Sequence, residues 1–190
     1  MTATTGTTTR QRIVAAAVEL TLAHGWSQVT MGRLAEAVGV SRQTVYNEIG
    51  GKPALAEAMI LAELERFLSV VTDAFDAHPD DLVAAIEAAT TGVLRLARGN
   101  DLLKAVVSAT HGADTELLPL LTTHAESLLE TAKTVVAERV RTYDVPLDDH
   151  LDPAIDMVVR VVLSHVMQPS AAPEETAADL AFLASRVLRG

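Results

Sequence analysis

A run of hydrogen-bonding side chains between residues 42 and 47 is the part of the sequence best suited to binding chemistry. The run offers a cation, two amides, a hydroxyl and a phenol: Arg42, Gln43, Thr44, Tyr46 and Asn47. Val45 and Ile49 are four residues apart, so a helix would turn both apolar side chains toward its opposite face. Guanidinium, amide and hydroxyl groups on one helical face can form hydrogen bonds with the base edges and phosphate oxygens of nucleic acid.

The residues before this run predict a second helix and a tight turn that would position it. Leu34, Ala35 and Val38 have the spacing of one helical face, and the small Ala35 permits a close crossing of two helices. Gly39 can end this preceding helix, and Ser41 can cap the helix that contains residues 42–47. The pattern is typical of a helix-turn-helix. The alternative is an ordinary helical hairpin, but the scarcity of acidic residues on the outer face favours DNA binding.

The segment from about Thr8 to Leu55 resembles the DNA-binding domain of TetR-family transcriptional repressors. The matching residues are Arg12-Ile13, Ala16-Ala17, His24-Gly25-Trp26, Val29-Thr30, Leu34-Ala35, Val38-Gly39-Val40-Ser41, Thr44-Val45-Tyr46 and Lys52-Pro53-Ala54-Leu55. Two positions depart from the family pattern: an acid, Glu48, replaces a His or other aromatic residue, and Gly50-Gly51 replaces a more polar link. Glu48 could accept a hydrogen bond from a cytosine amino group or could turn away from DNA. The resemblance implies a repressor that forms a two-fold dimer through a four-helix bundle of its last two helices.

Within this segment we assign separate roles to the polar residues. Arg42, Gln43 and Asn47 are predicted to read bases. The predicted phosphate contacts and supporting residues are Thr44, Tyr46 and Lys52, with Thr30 and Arg33 from the preceding helix and Ser41 at the turn. Two identical heads on a two-fold axis predict an inverted-repeat operator, because the symmetry of the site mirrors that of the protein.

Charge and composition limit the other possibilities. The 190 residues are 49% hydrophobic but only 3% aromatic, and the sequence contains no cysteine, which excludes disulfides and fits a reducing cytoplasm. The net charge is −10, yet residues 1–52 hold five Lys or Arg against three acids, a net +2, and the remaining residues carry −12. A mildly basic head on an acidic body can orient the molecule toward a polyanion. No run is long and apolar enough to cross a membrane.

Apolar periodicity predicts an all-α protein of about nine helices in two domains. Thr8 and Gln11 form a capping box for a first helix, and Lys52-Pro53 begins a long helix that ends near Ala77. Five more helices are predicted at residues 79–98, 101–110, 114–143, 151–168 and 174–189. We divide the chain into an N-terminal three-helix helix-turn-helix domain, residues 1–52, and a helical effector-binding and dimerisation domain, residues 53–190.

The last two predicted helices carry more apolar residues than one packing partner needs. The set predicted to join two subunits is Ile155, Val159, Val162, Val166, Phe182, Leu183 and Val187. A helix that is apolar on more than one side needs two partners, and the second could be another copy of the chain. The alternative is a helix pair buried entirely within one subunit.

Several histidines lie in apolar parts of the C-terminal body, which could form a ligand cavity. The predicted lining residues are Leu94, Leu103, Val107, Thr110, His111, Leu121, His124, Met157 and His165. Because aromatic residues are scarce, such a cavity would suit an aliphatic effector, for example a fatty acid or acyl thioester, better than a flat aromatic. The alternative is that these histidines are hydrogen-bonded core residues.

Together these features predict a cytoplasmic, ligand-responsive DNA-binding regulator that is not an enzyme, and the family resemblance implies that it acts as a repressor. We expect no cofactor, no metal site and no membrane association; no two histidines are three or four residues apart, as local metal ligands would be. The expected partners are double-stranded DNA with an inverted repeat, a small hydrophobic effector and a second copy of the chain. The alternatives are a helical enzyme with a His/Glu site in the body and a constitutive DNA-binding regulator without an effector.

Overall fold

The computed structural model describes residues 7–108, 125–145 and 148–188, and within these ranges all regular structure is helical. The nine α-helices of the described chain are α1 (Thr9–His24), α2 (Met31–Val38), α3 (Arg42–Ile49), α4 (Lys52–Ala77), α5 (Leu82–Gly99), α6 (Asp101–Ser108), α7 (Ala125–Val140), α8 (Leu151–Met167) and α9 (Pro173–Val187). Short 3₁₀ turns occur at Trp26–Gln28 and Asp148–His150. The predicted all-α class is confirmed. None of the described helices is both long and apolar enough to span a membrane.

The chain forms two compact units that interleave along the sequence. The described part of unit 1 comprises residues 7–64 and 101–108, and that of unit 2 comprises residues 65–100 together with the described residues from 125 onward. Helix α4 therefore contributes its first half to unit 1 and its second half to unit 2. The predicted domain boundary after residue 52 falls inside unit 1, just where α4 begins.

Unit 1 packs α1, α2, α3, the start of α4 and α6 around one apolar cluster. Its most deeply buried large side chains are Ile13, Val29, Leu34, Val45 and Leu55. The cluster also contains a residue from much later in the chain, Leu102 of α6, which packs beside α1. The core of the DNA-binding segment is thus completed by α6, which follows α5 in the chain. This contact cannot be predicted from the N-terminal sequence.

The first helix begins where the sequence predicted. The Thr8 hydroxyl accepts a hydrogen bond from the Gln11 amide, and the Gln11 side chain accepts one from the Thr8 amide at 2.8 Å. This reciprocal pair satisfies two of the backbone donors that a helix start leaves without partners. The fifth helix begins at Leu82 rather than near residue 79, because the Asp81 side chain caps it by accepting from the Ala84 amide.

Unit 2 has a second cluster, centred on Phe75, Ala85 and Ala89. Helices α8 and α9 both pack against α5, and α8 also packs against α7. The Tyr143 ring stands edge-to-face on Phe75, and its hydroxyl donates to the His78 carbonyl at 2.8 Å. Burial raises the pKa of this phenol, which keeps it a donor.

The α4 and α5 segments of unit 2 approach closely at Gly92. A Cβ atom built on Gly92 would lie 2.5 Å from the Val70 Cγ1 atom, which is nearer than two carbon atoms can pack. Glycine is therefore required at this contact unless Val70 moves. Exposed ion pairs of unit 2, such as Arg95 with Glu174 and Arg139 with Asp76, contribute little to stability in comparison.

Candidate nucleic-acid interface

Helices α2 and α3 form the predicted helix-turn-helix, and each begins with a side-chain cap. The Thr30 hydroxyl accepts from the Arg33 amide at 3.2 Å, and the Ser41 hydroxyl accepts from the Thr44 amide at 3.0 Å. Between them Gly39 has a φ of 74°, a left-handed conformation that glycine adopts without strain. These local hydrogen bonds fix where α3 begins.

The inner face of α3 is anchored in the core of unit 1, which leaves its polar face outward. Val45 and Ile49 are buried, whereas Arg42, Gln43 and Asn47 are exposed. The structure therefore brings the three predicted base-reading residues onto one accessible surface.

Two side-chain pairs order this outward face. The Gln43 Nε2 atom donates to the Asn47 Oδ1 atom at 2.9 Å, which links the two amides one turn apart. The Arg42 guanidinium lies 5.9 Å from the centre of the Tyr46 ring, within reach of a cation–π interaction. Both pairs restrict side chains that would otherwise lose rotamer freedom on binding DNA.

The supporting residues have local contacts of their own. Thr44 is half-buried, and its hydroxyl lies 2.8 Å from the Ser41 hydroxyl. Arg33 donates to the Gln28 carbonyl at 3.1 Å, and the Lys52 ammonium lies 4.9 Å from the Trp26 ring centre. Trp26 itself is buried in the core of unit 1 and not placed to stack on a base.

Sequence reasoning gave Arg10 and Arg12 no role in the site: both were counted as positive charges of the head, and Arg12 also as a residue that matches the family pattern. In the structure, Arg10 donates to the Glu48 carbonyl at the end of α3, and Arg12 donates to the Val38 carbonyl at the end of α2. One signal was available. Both cations lie in the first turn of α1, where the positive end of the helix dipole disfavours them. Their position therefore indicates a compensating hydrogen-bond acceptor elsewhere in the fold.

Comparison with known proteins assigns both parts of the chain. A family profile described as bacterial regulatory proteins, tetR family, matches residues 13–59, and one described as bacterial tetracyclin repressor, C-terminal domain, matches residues 81–186. The second match alone covers more than half of the chain. The chain belongs to the TetR family. It is a DNA-binding transcriptional regulator of the repressor type, as the resemblance of the helix-turn-helix implied.

Individual TetR-family relatives match along most of the chain. The HTH-type transcriptional regulator AlkX of Mycobacterium tuberculosis is 29% identical over 175 residues, 92% of this chain and 82% of that protein. The crystal structure of the TetR-family repressor AlkX of Dietzia sp., described as implicated in biodegradation of n-alkanes, is 28% identical with a TM-score of 0.73 and covers 95% of each chain. The structure of the fatty acid degradation regulator FadR of Bacillus halodurans is 18% identical, with a TM-score of 0.52, and covers 92% of this chain and 93% of its own. This likeness shows the fold alone.

The residues predicted to line an effector cavity of this TetR protein are only partly described. In unit 2, Leu94 is buried on α5, and His165 is half-buried with its Nδ1 atom 2.9 Å from the Val161 carbonyl oxygen. In unit 1, Leu103 is half-buried on α6. The Val107 side chain and all of Thr110, His111, Leu121 and His124 lie outside the described residues. Among the residues that are described, no group of three acids or histidines has the arrangement of a metal site.

The predicted subunit-interface residues divide between core and surface. Ile155 and Val159 are buried in the cluster of unit 2, so their side of α8 already has its partner within the subunit. Met157, predicted to line the cavity, is instead 69% exposed, because it is two positions away from the buried face. Val162 and Val166 are half-buried, whereas Phe182, Leu183 and Val187 of α9 are exposed.

Proposed function

We propose that this protein is a ligand-responsive repressor that binds an inverted-repeat operator as a homodimer and is released by a small hydrophobic effector. The observation that carries the proposal is the capped α2–turn–α3 pair, whose inner face is buried and whose outer face offers ordered hydrogen-bonding groups. The family membership supports DNA binding by this surface. An enzyme would leave this surface without a role.

The homodimer is supported by an exposed apolar face on the last two helices. On α8 the exposed apolar residues are Met157, Val161, Leu163 and Met167, and on α9 they are Phe182, Leu183 and Val187. Large apolar side chains that stay exposed on one subunit can be covered when a second copy packs against them. We therefore replace Ile155 and Val159 in the proposed interface by Met157 and Val161, which face the opposite side of the same helix.

An aliphatic effector is supported by composition and by the relatives. AlkX of Dietzia sp. is implicated in biodegradation of n-alkanes, and both AlkX relatives match more than nine-tenths of this chain. Each buried methylene group contributes about 0.8 kcal/mol, so a chain of about a dozen carbons can bind tightly with one polar anchor. Within unit 2, Leu94 and His165 remain the described candidates for this contact. The residues proposed from the sequence alone are Leu103, Val107, Thr110, His111, Leu121 and His124.

The proposed function is tested by measuring how the release of operator DNA depends on the chain length of an aliphatic ligand. Operator DNA is first selected from genomic fragments, and the preformed complex is then titrated with fatty acids and acyl thioesters of increasing length. We expect the concentration needed for half release to fall about threefold to fourfold with each added methylene until the cavity is full. A flat aromatic acid of similar area is the control, and we expect it to release little DNA. Specific binding without release by any ligand would support a constitutive regulator instead.

Separate roles for base-reading and phosphate-binding residues are a second expected result. Replacing Gln43 with alanine removes an amide from the outer face of α3, so preference at particular base pairs is expected to relax by about 1–3 kcal/mol each. Replacing Lys52 with alanine is expected to weaken binding to all sequences alike and to reduce the slope of log K against log salt by about one per subunit. Selection from a randomised operator library and affinity measurements at several salt concentrations check both. If the Lys52 variant changed base preference and the Gln43 variant did not, the roles would be reversed.

A further inference from the structure

Two arginines of α1 reach the carboxyl ends of the two helices of the helix-turn-helix. The Arg12 Nη2 atom lies 2.5 Å from the Val38 carbonyl oxygen, and the Arg10 Nη1 atom lies 2.6 Å from the Glu48 carbonyl oxygen. These contacts join residues 26 and 38 positions apart in sequence, so they are tertiary contacts and not parts of a local turn.

The acceptors are groups that a helix leaves without internal partners. Val38 is the last residue of α2 and Glu48 is the penultimate residue of α3. The Gly39 and Val40 amides both return to the Ala35 carbonyl, one turn earlier than the oxygen that Arg12 binds. A guanidinium at this end of a helix also compensates the negative end of its dipole, and a charged donor makes a stronger hydrogen bond than a neutral one.

The position of the two contacts matters more than their strength. Val38 lies three residues before the Ser41 cap of α3, and Glu48 lies in the last turn of α3. Arg10 therefore attaches the carboxyl end of α3, the proposed recognition helix, directly to α1. Arg12 attaches the end of α2 to the same helix, at the turn that leads into α3. Buried apolar contacts of Val45 and Ile49 hold the inner face of α3 but are not directional, so they do not by themselves fix its position along its axis.

We propose that Arg10 and Arg12 are positioning residues that fix the recognition helix on α1 and so determine specific DNA affinity without touching DNA. The inference rests on the proposed use of α3 in reading the operator. A binding surface must hold its groups within about 0.5 Å of the productive geometry. Loss of the Arg10 contact removes a direct attachment of α3, and loss of the Arg12 contact removes an attachment at the turn that precedes α3. Arg10 and Arg12 then differ in role from Lys52, although all three are cations of the same unit.

The test compares Arg10→Gln and Arg12→Gln with Lys52→Ala in the full-length protein. Each arginine variant is expected to lose about tenfold in affinity for the selected operator while its affinity for unrelated DNA is unchanged. The slope of log K against log salt is expected to stay at the wild-type value for both, whereas the Lys52 variant loses about one unit per subunit. Measurements are made at a temperature at which thermal melts show every variant to be folded.

A second measurement needs no DNA. Hydrogen exchange of the free protein is expected to show faster exchange of the α3 amides from Val45 to Ile49 in both arginine variants than in the wild type and in the Lys52 variant. A reduced salt slope in the arginine variants would show that they bind phosphates, and unchanged operator affinity or unchanged α3 exchange would equally overturn the inference. A wild-type protein that prefers no DNA sequence would refute the proposed function, while the exchange result would still decide whether the arginines hold α3.

Discussion

Replacing Leu183 with glutamate is expected to convert the proposed homodimer into monomers and to abolish operator binding. Leu183 is 60% exposed on α9 in the single subunit, so a charge there costs the isolated chain little. In the proposed dimer the two-fold axis makes each interface residue occur twice, and each buried, unpaired carboxylate costs several kcal/mol. Even about 3 kcal/mol raises the dissociation constant of the dimer more than a hundredfold. Sedimentation velocity over a concentration series measures the change.

An equally exposed leucine elsewhere supplies the control for this substitution. Leu22 lies on α1 of unit 1 and is 47% exposed, so Leu22→Glu adds the same charge to a similar surface outside the proposed interface. We expect this variant to stay dimeric, and we expect Met157→Glu on α8 to behave like Leu183→Glu. Dimers that persist in both the Leu183 and the Met157 variants would show that the subunits meet through a different surface.

The second large effect is expected at Leu102, far along the chain from the DNA-binding helices. Its side chain is 7% exposed and belongs to the same buried cluster as Ile13, Leu34 and Val45. Truncating a buried leucine to alanine typically costs about 2–5 kcal/mol, because the transfer free energy is lost and a cavity remains. Leu102→Ala is therefore expected to lower the melting temperature of unit 1 by several degrees and to weaken operator binding near physiological temperature.

The neighbouring residue allows a matched comparison. Leu103 is in the same helix, α6, but is only half-buried and lies outside the cluster. The same truncation at Leu103 is expected to cost less, and hydrogen exchange of α1 is expected to increase only in the Leu102 variant. Equal losses at the two positions would mean that α6 supports unit 1 through general helix stability and not through the Leu102 side chain.

Features whose cause is local were predictable from the sequence. The capping box at Thr8, the left-handed Gly39 and the Ser41 cap each depend on a few neighbouring residues, so the starts and ends of the first three helices could be predicted closely. The outward face of α3 followed from the spacing of Val45 and Ile49. The same reasoning placed the start of α4 at Lys52 and its end at Ala77.

Features that depend on tertiary packing were not predictable in the same way. Helix α8 is apolar on two sides, and periodicity alone cannot tell which side faces the core; in the single subunit Ile155 is buried and Met157 is exposed. The carbonyl partners of Arg10 and Arg12 exist only after α1 packs on α2 and α3. Leu102 looked like an ordinary helical leucine, because its cluster is formed by residues at the other end of the sequence.

The interleaving of the two units limits how this protein can be rebuilt or recombined. A hybrid regulator made by joining residues 1–52 to another effector-binding body would lack Leu102. The part of the N-terminal core that Leu102 covers would then meet a side chain from the new body that is not matched to it. A crossover that preserves the head must therefore exchange α6 and the first half of α4 together with α1, α2 and α3. Exchange of operator specificity by substitutions on the outer face of α3 avoids this constraint, because that face has no part in the shared core.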